Sequence, residues 1–138
     1  MSLIMSLCDA LDSGKFVITA QMHLPQTADS GEIAQQAEIL GKHVDAVQLT
    51  DNPGAKVHMS GLAAAALLIP MGLDPVVHFN CRDRNRIALQ GDLLGAVAIG
   101  VTSILVSRGR EIPGAEKFRI KNVFDTPAKD LMAYVRKL

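Results

Sequence analysis

Four short runs rich in Val, Ile and Leu punctuate the chain: Phe16–Met22, Ala46–Thr50, Pro75–Asn80 and Ser103–Ser107. Each is near-continuously apolar rather than alternating, the pattern of a parallel strand covered on both faces. Their starts fall 30, 29 and 28 residues apart. The segments between them read as helices. Asp29 and Glu32 form a capping pair ahead of Ile33, Ala37, Leu40 and Val44, which recur at helical spacing. Ser60 is the expected N-cap of a second helix through Ile69, stopped by Pro70 and turned by Gly72. A third is predicted from about Asn85 to Gly100, with Ile87, Leu94 and Ala98 on its apolar stripe. A fourth begins at Thr126-Pro127, an N-cap followed by a first-turn proline, and shows Leu131, Val135 and Leu138.

The predicted fold class is therefore α/β, a βα unit repeated four times. Two architectures fit: half of a (β/α)8 barrel of the TIM type, and a small open parallel sheet. The regular spacing favours the barrel, at about 31 residues per unit for a typical ~250-residue barrel. Four strands cannot close one, so two strand edges and a sheet face are left open. The expectation is a homo-oligomer, a partner subunit that completes the barrel, or a longer polypeptide.

Composition narrows the functional class. The 138 residues, 49% of them hydrophobic, are enough for one domain over 1–138 and exclude a disordered chain. Fourteen basic residues balance fourteen acidic ones, which argues against nucleic acid as a partner. The longest apolar runs, Gly61–Leu73 and Leu93–Val106, fall short of the ~20 residues a bilayer requires, so no membrane association is expected. The start shows no export signal, and Met5 points to a leader over residues 1–5 ahead of the natural start. Cys8 and Cys81 lack metal-type spacing and read as reduced thiols of a cytoplasmic protein.

In both architectures ligands bind at the carboxyl ends of the strands. Those ends carry Gln21-Met22-His23, Thr50-Asp51-Asn52, His78-Phe79-Asn80-Cys81-Arg82-Asp83 and Ser107-Arg108-Gly109-Arg110. Asp51, Asn52, Arg82 and Arg84 are the candidate rim for a substrate or anion. Each residue type has a second reading. Asn52-Pro53-Gly54 is also ordinary turn chemistry, His78 is also a hydrogen-bonded core histidine, and Arg82, Arg84 and Arg86 also read as a solvated run. With Arg108 and Arg110 these arginines would form a pocket for carboxylate or phosphate. His23, His43 and His58 show no ligand spacing, so no metal site is expected. No dinucleotide fingerprint, Walker loop or nucleophile motif follows any strand.

At these strand ends the chain resembles the methylenetetrahydrofolate reductase family. Two segments carry the likeness, DAVQLTDNPGAKVHMSGLAAAALL and PVVHFNCRDRNRIALQGDLLGAVAIGVTSILVSRG, which follow the family's second to fourth strands. FVITAQM matches the first strand more loosely, and the whole covers about four-fifths of the chain. The resemblance implies the N-terminal half of an FAD-dependent barrel. It implies a flavin-dependent oxidoreductase of one-carbon metabolism and methionine biosynthesis, passing hydride to 5,10-methylenetetrahydrofolate to give 5-methyltetrahydrofolate. NAD(P)H or another electron donor would reduce the flavin.

By the same resemblance Thr50, His78, Arg108 and Gly109 are expected to contact the flavin. Gln21 stands where the family has a glutamate that acts as general acid in opening the folate ring, a role typically worth ~10²–10⁴-fold. Arg110 stands where the family has an aspartate beside the flavin. In the family much of the FAD diphosphate and adenosine site lies beyond the fourth strand, so weak FAD binding is expected of this chain alone. These departures open a second expectation, a catalytically impaired folate- or flavin-binding subunit that needs a partner half-barrel. A third is a fold-level likeness whose arginine rim takes another anionic metabolite.

Overall fold

The computed structural model describes residues 6–114 and 120–138. The expected leader over 1–5 lies outside the described residues. Among the described residues five α-helices and four strands follow in the order α1 (Leu7–Asp12), β1 (Thr19–Gln21), α2 (Ser30–Leu40), β2 (Ala46–Leu49), α3 (Gly61–Leu68), β3 (Pro75–Asn80), α4 (Arg86–Ala98), β4 (Ser103–Ser107) and α5 (Ala128–Val135). The four strands pair in parallel in the order β1-β2-β3-β4. This is the open α/β sheet expected, and it is compatible with half of a TIM barrel. Among the described residues no helix is long and apolar enough to cross a membrane.

Alternate strand residues divide the work. Val47, Leu49, Val77 and Phe79 point to the helices and join Ile33, Ala37, Ala64, Leu68, Leu89, Leu93 and Leu131 in one buried core. The three crossover helices α2, α3 and α4, and α5 with them, therefore lie on the same face, as crossovers of one hand along a sequentially ordered sheet require. The other face carries Thr19, Gln48 and His78, linked in a row across β1, β2 and β3. His78 Nε2 lies 2.7 Å from Gln48 Oε1, and Gln48 Nε2 lies 3.5 Å from Thr19 Oγ1. The strands were expected to be covered on both faces. This face is instead half polar, with Leu105 exposed on β4.

At the opposite end Asp74, immediately before β3, ties three segments. Its carboxylate accepts from Leu7 N–H of α1 at 2.7 Å and from Thr102 Oγ1 at 2.8 Å, and its carbonyl accepts from Val47 N–H at 2.9 Å. Leu7–Asp12 escaped the sequence reading because six residues show under two turns of periodicity. Its capping box, Ser6 with Asp9, is of the kind expected at Asp29 and Glu32. Asp29 does cap α2, through Gly31 N–H at 2.8 Å.

Three boundaries or faces differ from the prediction. β1 is only Thr19–Gln21, since Phe16 is 90% exposed and has left the sheet. In the fourth helix the N-cap is Pro127, while Thr126 is buried just outside. α4 presents the opposite face to that predicted: Leu89, Leu93 and Ala96 are buried, whereas Ile87 and Leu94 are exposed. Its sequence is apolar on both sides, so periodicity alone chose the wrong stripe.

That reversal gives a sharp test on adjacent residues. Leu93 is 2% exposed and Leu94 is 54% exposed. Urea denaturation should show Leu93→Ala losing about 2–5 kcal/mol. Leu94→Ala should stay within about 0.5 kcal/mol of the unaltered chain. Equal losses would put the helix face wrong.

Candidate ligand cleft at the strand ends

The carboxyl ends of β2, β3 and β4 open into a cleft of about 850 Å³, within the range of small-molecule and cofactor sites. Thr50, Asp51 and Asn52 follow β2 into one wall. His78, Asn80 and Arg82 form the floor from β3, and Ser107, Gly109 and Arg110 come from β4. Lys56, Glu111 and Ile112 complete it from the loops beyond.

Local geometry explains why these residues converge. Asn80 and Ser107 are paired in register at the ends of β3 and β4. Directly after them Gly109 adopts φ +80°, and a Cβ there would stand 2.9 Å from Arg82 Cβ. Only glycine lets the two strand ends approach so closely. Asn52 takes a left-handed turn with φ 38°, which asparagine tolerates, and its Oδ1 accepts from His58 N–H at 3.2 Å. This closes the loop that carries Lys56 back to the cleft.

The arginines predicted as an anion pocket are largely neutralised within the protein. Arg82, 8% exposed, makes a bidentate pair with Asp83 at 2.5 and 2.7 Å. That hydrogen-bonded pairing raises the Arg82 pKa. Burial works against the Asp83 carboxylate, but the bond to Arg82 outweighs it and holds Asp83 below the usual range. Arg84 bridges Asp51 and Asp92 and lies 5.2 Å over the Phe79 ring, behind the cleft wall rather than on it. Arg86 bonds Thr126 Oγ1 at 3.4 Å. Arg108 is exposed, its guanidinium 4.4 Å over the ring of Phe124, and is also off the lining. Of the five arginines, Arg82 and Arg110 line the cleft, and Arg110 forms no ion pair among the described residues.

Two groups stand out as available to a ligand. Thr50 Oγ1 is buried without a hydrogen-bond partner among the described residues, an arrangement that costs about 1–3 kcal/mol unless something supplies one. His78 is half-buried, and desolvation lowers its pKa. With the Gln48 amide donating to Thr19, its oxygen accepts from His78 Nε2–H, which leaves Nδ1 with the lone pair. Burial also raises the Cys81 thiol, which lies fully buried in the core.

The structure thus brings together Thr50, Asp51, Asn52, His78, Arg82, Gly109 and Arg110. It leaves Gln21, Arg84 and Arg108 off the cleft wall. Gln21 is exposed at the end of the edge strand, in register with Gln48. Lys56 and Ile112 were missed by sequence reasoning. The signal for them was positional, since loops that follow parallel strands lie on the ligand-bearing rim. Phe124, with φ 45°, had no signal in sequence: a bulky residue in that conformation is set by its tertiary contacts.

A neutral His78 makes stability depend on pH in a defined sense. The unfolded chain protonates this imidazole near the ordinary value of 6.5, while the folded chain does so only at lower pH. Its contribution is therefore complete above that value and is lost as pH falls below it. Urea denaturation at pH 7.5 and 5.5 should show a loss that His78→Gln reduces. An unchanged pH dependence in that variant would contradict the assignment.

Residues 6–138 match the family model described as methylenetetrahydrofolate reductase. No curated protein matches the chain. The match spans nearly the whole sequence and includes every strand and loop that builds the cleft. The chain belongs to the methylenetetrahydrofolate reductase family, and with it to folate-related one-carbon chemistry.

Proposed function

We propose that the cleft binds a flavin and that the chain takes part in reduction of 5,10-methylenetetrahydrofolate to 5-methyltetrahydrofolate. The observation that carries this reading is the buried Thr50 hydroxyl, without a partner among the described residues, in the wall of a cleft of cofactor size. Proteins of this family typically use FAD. The residues present suit a flat heteroaromatic ring with polar edges. Thr50 offers a hydroxyl, His78 an imidazole face with a free lone pair, and the Gly109 main chain a surface without a side chain. When bound, the reduced flavin supplies hydride, and NAD(P)H or another donor restores it.

The chain's own residues tune this chemistry. Arg110 brings positive charge into the cleft, which favours negative charge on a bound ligand and weakens it as a hydride donor. The Gln21 amide holds no ionisable proton, so a proton for the folate ring must come from another group. These two positions favour a second reading, a binding subunit whose catalysis is impaired. Arrival of a partner half-barrel, or of a second copy, along the open edges of β1 and β4 would complete the enclosure in either reading.

Replacement of Thr50 by valine separates ligand binding from folding. Thr50→Val removes a buried group that lacks a partner among the described residues, so the ligand-free chain should gain about 1 kcal/mol by urea denaturation. Flavin affinity, followed by fluorescence quenching, should fall about tenfold. Unchanged affinity for flavin in this variant would contradict the proposed placement. Saturable flavin binding with no reaction toward methylenetetrahydrofolate would favour the binding subunit.

A further inference from the structure

We propose that a second copy of this chain covers the open sheet, β4 of each copy pairing in parallel with β1 of the other, a seam that rests on the strands alone and not on what the cleft binds. β1 and β4 end the strand order, and among the described residues no strand pairs with their outer edges. Both run in the same direction, so a half-turn about the axis of the curled sheet brings the β4 edge of one copy beside the β1 edge of the other. The same seam forms twice, and two sets of four strands close one barrel.

The register decides which residues meet. Across the sheet it runs Gln21, Gln48, Val76 and Ser103, from the last residue of β1 to the first of β4. An eight-stranded barrel of parallel strands is staggered by about eight residues on one circuit, and each of two equal halves supplies about four. From Ser103 the line therefore continues to Val17 of the second copy, four residues short of Gln21. Ile104 then stands opposite Ile18, Leu105 opposite Thr19, and Ser107 opposite Gln21.

Main-chain and side-chain directions both suit this register. The Ile18 carbonyl and the Met22 N–H are bonded on the β2 side, at 2.8 and 3.0 Å, so alternation turns the main-chain groups of Val17, Thr19 and Gln21 to the open edge. The Ser107 carbonyl accepts from Cys81 N–H at 3.1 Å on the β3 side, which turns those of Ile104 and Val106 outward. A parallel ladder built from these two sets pairs Ile104 with Ile18 and Val106 with Ala20, as the stagger demands. The side chains of Ile104 and Val106 pack toward the helix layer, and Leu105 shares the open face with His78, its partner in register. A slip by one residue would break both agreements. The apolar run Phe16–Met22 is also longer than β1, with Phe16 and Ile18 exposed. Five-residue β4 laid against Val17–Gln21 gives that run the partner it lacks.

Surface and charge favour a second copy. The chain exposes 8672 Å², whereas a compact monomer of 14.8 kDa exposes about 7,000 Å². That excess is larger than the about 800 Å² that each partner gives up in a stable dimer. Covering the open face leaves no new orphan in the row of Thr19, Gln48 and His78, which already bond one another. With a formal net charge of zero, two copies meet without long-range repulsion. Closure also completes the cleft: Gln21 of the second copy arrives beside Ser107, on a wall that Gln21 of the same chain does not reach.

Ligand-free protein decides the matter, separately from any result with flavin. Light scattering on the full chain at micromolar concentration should give twice 14.8 kDa. A mass of one chain, or a series of larger species, overturns the proposal. Cysteine pairs then read the register, in a Cys8→Ser background that leaves only the buried Cys81. Within one chain Gln21 and Ser107 stand three strand spacings apart, about 14 Å, so in Gln21→Cys/Ser107→Cys only a second copy can close the disulfide. Oxidation should yield a covalent dimer at least tenfold above that from Gln21→Cys/Ser103→Cys, whose second cysteine is displaced by about 13 Å along the strand. Equal yields overturn the register, and a covalent dimer from Gln21→Cys alone overturns the seam, because the β1 edges would then meet each other. Ile18→Asp, at a position exposed in the single chain, should be monomeric with unchanged circular dichroism; a dimer that persists in this variant also overturns the seam.

Discussion

Everything in this molecule follows from four parallel strands laid down in sequential order with their crossovers on one face. Parallel neighbours cannot be joined by a tight turn, so each strand must be followed by a return segment along the sheet. With all the returns on the same side, one sheet face enters the core and the other stays open. The same constraint sends every carboxyl end to one rim. Asp74 anchors the opposite end, where its carboxylate joins α1 to the segment before β4. Structural bonding is concentrated there, and the cleft is left to the other end.

At the rim, charge is managed by internal pairing. Arg82 and Arg84 are bound to Asp83, Asp51 and Asp92, and these pairs brace the wall of the cleft. Removing either member of such a pair would leave a partly buried charge uncompensated, so the arrangement resists single substitutions. Gly109 completes the brace, because the ends of β3 and β4 meet where a side chain would collide with Arg82. What remains at the cleft is a short set: the Thr50 hydroxyl, the imidazole of His78, and the cations of Lys56 and Arg110. Such a set orients a polar ring.

Much of this was legible in the sequence, for a physical reason. β3 and β4 begin and end where their runs rich in Val, Ile and Leu do, because the helix-facing positions, Val77 and Phe79 among them, enter the core. β1 was overextended, since Phe16 and Val17 look like strand but nothing covers Phe16. The face of α4 was misread because Leu93 and Leu94 are chemically identical and only tertiary packing tells them apart. At the rim, the ordering of strands was enough to place Thr50, His78 and Gly109 together. The fate of the arginine run was not legible. Pairing of Arg84 with Asp51 spans 33 residues and depends on side-chain reach that spacing does not encode.

The central claim is that the chemistry of this chain resides at the carboxyl rim of β2, β3 and β4. Flavin titration of isotopically labelled protein, followed amide by amide with nuclear magnetic resonance, tests it most directly. The account predicts shifts that saturate together at Thr50–Asn52, His78–Arg82 and Ser107–Arg110, with Leu7, Asp74 and Thr102 unmoved. Shifts centred on that second group, or on the outer surface between α2 and α3, would contradict it.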